Sequence, residues 1–202
     1  MRSSFIVCVS GYTQTRGYFH GILNLREALI KKGYSHGPAH RVEYLTWQTN
    51  YHRVASDLSI ICGRHGLVPH IVLAGYSYGG WGAIQLASEL EHKGIDVDAM
   101  ILSDAVGRPW FWPRPLPAVS SLLGRSYASK LHIPHNVKKL VSFYQKENRP
   151  QGHQLICKNG TKVTAPVQLF RPHALMDDAK EFHSSVMEES ELVYQATLTE
   201  EP

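Results

Sequence analysis

The chain has 202 residues, 43% of them hydrophobic and 19% charged, with a formal net charge of +4. That mix fits one globular domain rather than a disordered or membrane chain. Basic residues come as pairs such as Lys31-Lys32 and Lys138-Lys139 rather than as a stripe, so no nucleic-acid partner is expected. No run approaches the roughly 18 apolar residues of a membrane span.

Residues 5–10 are short, apolar and β-branched, as in a strand covered on both faces. The apolar run is too short for a signal segment and no small-x-small cleavage site follows it. Ile22, Leu25, Ala28 and Leu29 then recur at helical spacing, and Gly33 is the stop. Residues 41–47 read as a second strand. Asn50 is a plausible N-cap for a helix marked by Val54, Leu58 and Ile61 and ending near Gly66. Residues 70–74 form the third strand, a helix follows to about Gly94, and residues 97–103 form the fourth.

From 105 to 134 regularity stops. Arg108-Pro109-Trp110-Phe111-Trp112-Pro113-Arg114-Pro115-Leu116-Pro117 holds four prolines, which remove donors and fix φ. A long irregular excursion of this kind reads as a functional loop or lid. Trp110, Phe111 and Trp112 are substrate-pocket candidates, with a self-packed loop core as the equal alternative. Strand pattern resumes at 137–144. Residues 155–157 and 161–163 flank Lys158-Asn159-Gly160, a hairpin signal. Residues 165–170 form a last strand, and Ala179, Phe182, Val186 and Met187 mark a closing helix before an acidic tail, about 191–202, expected to fray. Alternating strands and helices predict an α/β fold with a doubly wound, mostly parallel sheet and helices on both faces, all in one domain.

Cys8, Cys62 and Cys157 are odd in number and lack framework spacing, so they read as free thiols in a reducing, cytoplasmic setting. Among 12 histidines, the pairs His36/His40 and His132/His135 are interrupted by Gly37-Pro38 and Ile133-Pro134, and no ligand set is completed; no metal is expected. No cofactor is expected either: the one glycine-flanked turn lacks the lysine of a phosphate-cradling loop.

That turn is Val72-Leu73-Ala74-Gly75-Tyr76-Ser77-Tyr78-Gly79-Gly80-Trp81, an apolar strand running through Gly-x-Ser-x-Gly into a helix. A serine hydroxyl is a poor nucleophile unless it is exposed and a base takes its proton. A tight strand-to-helix turn supplies the exposure, and the flanking glycines remove side chains that would collide across it. In this context the run resembles the nucleophile elbow of the α/β-hydrolase superfamily, and the resemblance covers nearly the whole chain. It implies a sheet of about six strands in the order 2-1-3-4-5-6, without the extra N-terminal strands of larger members. It also implies an esterase- or lipase-like serine hydrolase whose partner is a small acyl ester or thioester.

The family's chain order is nucleophile, acid, histidine. His173, just after the last strand and before the closing helix, matches the family's base; His183 and His153 are rivals. Asp104 closes the fourth strand, where lipase-like members place the acid, whereas much of the family places it one strand later, near Glu147. Asp177 and Asp178 read as the start of the closing helix. Two backbone amides should receive an oxyanion: that of Tyr78, after the nucleophile, and, by the family match, that of Tyr12 in the Ser10-Gly11-Tyr12-Thr13-Gln14 loop. A non-catalytic binding module on the same scaffold and an acyltransferase with the same parts are the alternatives.

Overall fold

The computed structural model describes residues 2–12, 14, 19–107, 130–147, 151–157 and 160–199. The whole proline-rich run, with Trp110, Phe111 and Trp112, lies outside the described residues, as do Lys158 and Asn159.

The strands in chain order are β1 (Arg2–Val9), β2 (His40–Leu45), β3 (Val68–Tyr76), β4 (Ala99–Ser103), β5 (Lys130–His132), β6 (Lys139–Tyr144), β7 (Gln154–Ile156), β8 (Lys162–Val163) and β9 (Val167–Gln168). The helices are α1 (Gly21–Lys31), α2 (Tyr51–His65), α3 (Tyr78–Glu91) and α4 (Lys180–Leu198). Among the described residues the main sheet has seven strands in the order β2-β1-β3-β4-β6-β8, with β9 also on β6. Every pairing in it is parallel. The expected sixth position is therefore shared by two short strands. β8 pairs with Lys139 and Leu140, and β9 with Phe143 and Tyr144. Pro166, with no N–H to give, falls between the two pieces.

Because side chains alternate across a strand, β1 feeds two cores. Phe5, Val7 and Val9 pack with Ala55 and Leu58 of α2 and Ala83, Leu86 and Leu90 of α3. Ile6 and Cys8 pack on the opposite face with Ile22, Leu25 and Leu29 of α1 and Phe182 and Val186 of α4. Helix punctuation follows the sequence. The Asn50 side chain accepts from the Arg53 N–H at 3.0 Å, and Gly66 ends α2 in the left-handed region at φ 59°.

One expectation is corrected. The segments around Asn159-Gly160 do not form a hairpin: β7 lies parallel to β5 in a separate two-stranded sheet, while β8 joins β6. Each segment finds a different parallel neighbour, and these tertiary pairings override the local turn signal. β5, inside the stretch read as irregular, exists because β7 is beside it. The acidic tail is helical through Leu198, held by Val193, which is 7% exposed in the α4-side core. Among the described residues no helix is long and apolar enough to cross a membrane.

Candidate active site

β3 ends at Tyr76 and α3 begins at Tyr78, so Ser77 alone makes the turn, at φ 53° and ψ −125°. An L-residue there is strained, and such strain persists only where the surroundings over-determine it. Here they do. The Ser77 N–H donates to Ser103 O at 2.9 Å, and Ser77 O accepts from the N–H groups of Gly80 (2.9 Å) and Val106 (3.0 Å). The glycines permit the approach: a Cβ on Gly79 would stand 2.3 Å from Val9 O, and one on Gly75 2.7 Å from Gly79 O. Any side chain at either position would force α3 away from the sheet.

The structure brings Ser77, His173 and Asp104 into one hydrogen-bonded chain. Ser77 Oγ lies 3.0 Å from His173 Nε2, and His173 Nδ1 lies 2.5 Å from Asp104 Oδ2. Asp104 is fully buried at the end of β4, also at positive φ (45°). Its carboxylate accepts from the Gly152 N–H at 2.6 Å and the Gln145 Nε2 at 2.9 Å, with the Gln145 N–H at 3.5 Å. Donors on every side compensate a buried carboxylate for its lost water. With the Nδ1–H directed at Asp104, the imidazole keeps its Nε2 lone pair on the side of Ser77 Oγ.

His173 sits in a 3₁₀ turn, His173–Leu175, whose position is fixed by backbone contacts. Tyr76 Oη donates to His173 O at 2.9 Å, and Ser103 Oγ donates to Met176 O at 2.7 Å. The Tyr76 ring lies 5.2 Å from the imidazole, centre to centre. Tyr76 is itself deprived of water, and burial, with the charges of Asp177 and Asp104, drives its phenol pKa upward, so it stays a donor.

The rivals stand elsewhere. His183 Nε2 donates to Asp177 O at 2.8 Å, which commits that nitrogen to the backbone. Glu147 is exposed. His153 lies beside Asp104 rather than Ser77. Its Nδ1 accepts from the Gly107 N–H at 3.2 Å, and burial lowers its pKa although the Asp104 charge pulls the other way. Asp177 is not a helix start: α4 begins at Lys180, and the Asp177 carboxylate instead accepts from the Gly21 N–H of α1 at 2.8 Å. A helix N-terminus is favourable ground for a carboxylate, but the helix in question is the one after β1.

The Tyr78 amide opens α3, where no preceding turn offers it an intrahelical partner. The Gly11-Tyr12 loop lies against the same serine: a Cβ on Gly11 would stand 3.2 Å from Ser77 Cβ and 3.0 Å from the Tyr76 ring. The side chains of Tyr12 and Tyr78 flank Trp47, with ring centres 4.9 and 5.9 Å away. Gln145, Gly152 and Trp47 carry no signal in the sequence, and Asp177 is read there as the start of the wrong helix. None carries a local motif, and each is recruited by a tertiary contact. Among the described residues no cluster of His, Cys, Asp and Glu could hold a metal ion.

No family model matches the sequence, and no curated protein does. Solved structures do. The RedJ thioesterase from the prodiginine biosynthetic pathway of Streptomyces coelicolor is 10% identical, with 93% of this chain and 85% of that one covered, at a TM-score of 0.50. YbtT, a type II thioesterase from the yersiniabactin NRPS/PKS biosynthetic pathway, is 12% identical over 95% and 94% of the two chains, at a TM-score of 0.50. At these identities the likeness is one of fold. The parallel order β2-β1-β3-β4-β6, the turn at Ser77 and these neighbours agree: the chain has the α/β-hydrolase fold.

Proposed function

We propose that the protein is a serine hydrolase that cleaves carboxylic ester or thioester bonds through an acyl-enzyme on Ser77. One observation carries the reading: His173 reaches Ser77 Oγ with one ring nitrogen and the buried Asp104 carboxylate with the other. In this reading His173 Nε2 takes the Ser77 proton as Oγ attacks the acyl carbonyl, and Asp104 holds the tautomer and stabilises the imidazolium. The Tyr12 and Tyr78 amides receive the oxyanion, each such donor being worth about 10²- to 10³-fold in rate. The imidazolium returns its proton to the leaving oxygen or sulfur. Water, deprotonated by His173, then attacks the acyl-enzyme, and the acid leaves as Ser77 regains its proton. With Cys8, Cys62 and Cys157 all free, a reducing compartment such as the cytoplasm suits the enzyme. The whole chain acts as one domain.

A fluorophosphonate probe tests the chemistry. Wild type should take one label and Ser77→Ala none, and a folded wild type that takes no label overturns the reading. Matched p-nitrophenyl esters and acyl thioesters then decide which leaving atom is preferred.

A further inference from the structure

Two segments of the proposed site lie far apart in sequence, the loop after β1 that carries Tyr12 and the loop after β9 that carries His173. Gln14 joins them. Gln14 Oε1 accepts from the Gly11 N–H at 3.0 Å, and Gln14 Nε2 donates to Asp177 Oδ2 at 2.7 Å. Both ends of the amide are committed, so its orientation is fixed. Turned over, the NH₂ would face the Gly11 N–H and the carbonyl oxygen would face a carboxylate.

Asp177 is a firm anchor. It is 4% exposed, the same Oδ2 accepts from the Gly21 N–H at 2.8 Å, and a Cβ on Gly21 would stand 2.3 Å from the Asp177 carbonyl. The residue before it is tied to β4 through Ser103 Oγ and Met176 O, and His173 is tied to β3 through Tyr76 Oη. The base-bearing loop is therefore fastened to α1, β3 and β4, and Gln14 extends that fastening to the loop after β1. A backbone turn closes the same loop, with the Gln14 N–H on Gly11 O at 3.2 Å and Ser10 Oγ donating to Gln14 O at 3.1 Å. Gln14 also occupies the Gly11 N–H, which removes Gly11 as an oxyanion donor and leaves that task to the next amide, Tyr12.

We propose that Gln14 is a positioning residue that holds the oxyanion loop in register with His173 by bridging the Gly11 amide and the Asp177 carboxylate. This rests on the serine hydrolase reading above. Gln14 touches neither substrate nor the reacting atoms; it acts through the loop. A donor displaced by about 1 Å loses on the order of 10²-fold in rate, because its bond is strongest only in the transition state.

The test uses the full-length protein, with active sites counted by fluorophosphonate and ester turnover as the readout. Gln14→Ala should lower kcat by about 10- to 100-fold while KM moves by less than about threefold, since the lost interaction matters in the transition state. Gln14→Glu supplies a signature that mere loosening does not. It sets a second carboxyl group where Nε2 met Asp177, and carboxylates so close share a proton, with one pKa strongly raised. With the proton shared, the introduced carboxyl group can donate to Asp177 and accept from Gly11, as glutamine does. The other groups near Asp177 are Tyr76, whose pKa its charge helps to raise, and His183, bonded to its carbonyl oxygen; both are common to variant and wild type. The kcat ratio of Gln14→Glu to wild type should rise at least about fivefold between about pH 8 and pH 6, while that of Gln14→Ala stays flat.

The inference is overturned if Gln14→Ala, folded and fully labelled, keeps kcat within about twofold of wild type. A Gln14→Glu ratio that does not change with pH overturns it too, and that arm serves where Gln14→Ala does not fold. A wild type that takes no label brings down the hydrolase reading and this inference together, whereas a labelled wild type indifferent to Gln14 removes this inference alone.

Discussion

Asp104→Asn is the sharpest probe of the proposed chemistry, because the backbone decides how asparagine must sit. Asp104 Oδ1 accepts from the Gly152 N–H at 2.6 Å and faces the Gln145 N–H at 3.5 Å, two donors that cannot turn round. The asparagine oxygen must take that place. Its NH₂ then falls where Oδ2 was, against Gln145 Nε2 (2.9 Å) and His173 Nδ1 (2.5 Å). At Gln145 two amide NH₂ groups then face each other, which weakens the contact. The imidazole can accept the new donor only by moving its proton to Nε2, where it donates toward Ser77 instead of taking a proton. The geometry survives and the tautomer is wrong, a change that costs about 10⁴ in kcat in a serine–histidine–aspartate site, or about 5 kcal/mol of activation free energy. Asparagine is isosteric and keeps the bond to Gly152, so unfolding free energy should fall by only about 1–3 kcal/mol. Ester hydrolysis and thermal unfolding are measured on the same preparation. A variant that keeps more than about a tenth of wild-type kcat refutes the argument. So does Glu147→Gln if it proves the more damaging change.

Ser77→Gly should be more stable than Ser77→Ala by about 1–2 kcal/mol, since φ 53°, ψ −125° is open to glycine and strained for alanine. Thermal denaturation of the two inactive variants compares them directly, and equal midpoints would mean that the turn stores no strain. Stability should also fall on acidification, because two histidines are held neutral in the fold: burial and the charge of His36 lower the pKa of His40, and burial lowers that of His153. Below their ordinary value of about 6.5 the unfolded chain binds more protons than the native one, so unfolding free energy drops with pH until both titrate in the fold. In urea unfolding from about pH 8 to pH 5, His40→Gln should flatten part of that slope, and an unchanged slope excludes His40 as a cause.

What was legible in the sequence followed short-range physics. The apolar runs of β1, β3 and β4, the Asn50 cap and the Gly66 stop are local signals, and the elbow is a local signal whose context confirmed it. His173 and Asp104 stand out in the sequence only because the resemblance fixes an order along the chain; the structure sets His173 within hydrogen-bond reach of both Ser77 and Asp104. The carboxyl-terminal third was harder because its strands are two or three residues long and owe their existence to partners. β7 exists beside β5, and β8 and β9 exist beside β6, so Asn159-Gly160 suggested a hairpin where the chain instead changes sheets. Asp177 was misread for a related reason. A carboxylate near a helix start is recognisable in sequence, but which helix start it serves is not.

Strand order explains why these groups meet. The chain steps from β1 outward to β2, then returns across β1 to β3 and proceeds the other way through β4 and β6. At that reversal the connections leave to opposite faces: α1 packs on the side of Ile6 and Cys8, α3 on the side of Val7 and Val9. The crevice between the β1 and β3 ends is where open parallel sheets bind ligands, and here it sets Gly11 against Ser77. The next strand along places Asp104 one position beyond the ladder pair Ser103–Phe143, as Ser77 lies one position beyond Tyr76–Ser103. Both residues turn out of the sheet at positive φ, yet their amides still donate to the neighbouring strand, Ser77 to Ser103 O at 2.9 Å and Asp104 to Phe143 O at 2.7 Å. The sheet thus holds two positive-φ turns side by side, each with its amide still bonded to the neighbouring strand, and His173 fits between them.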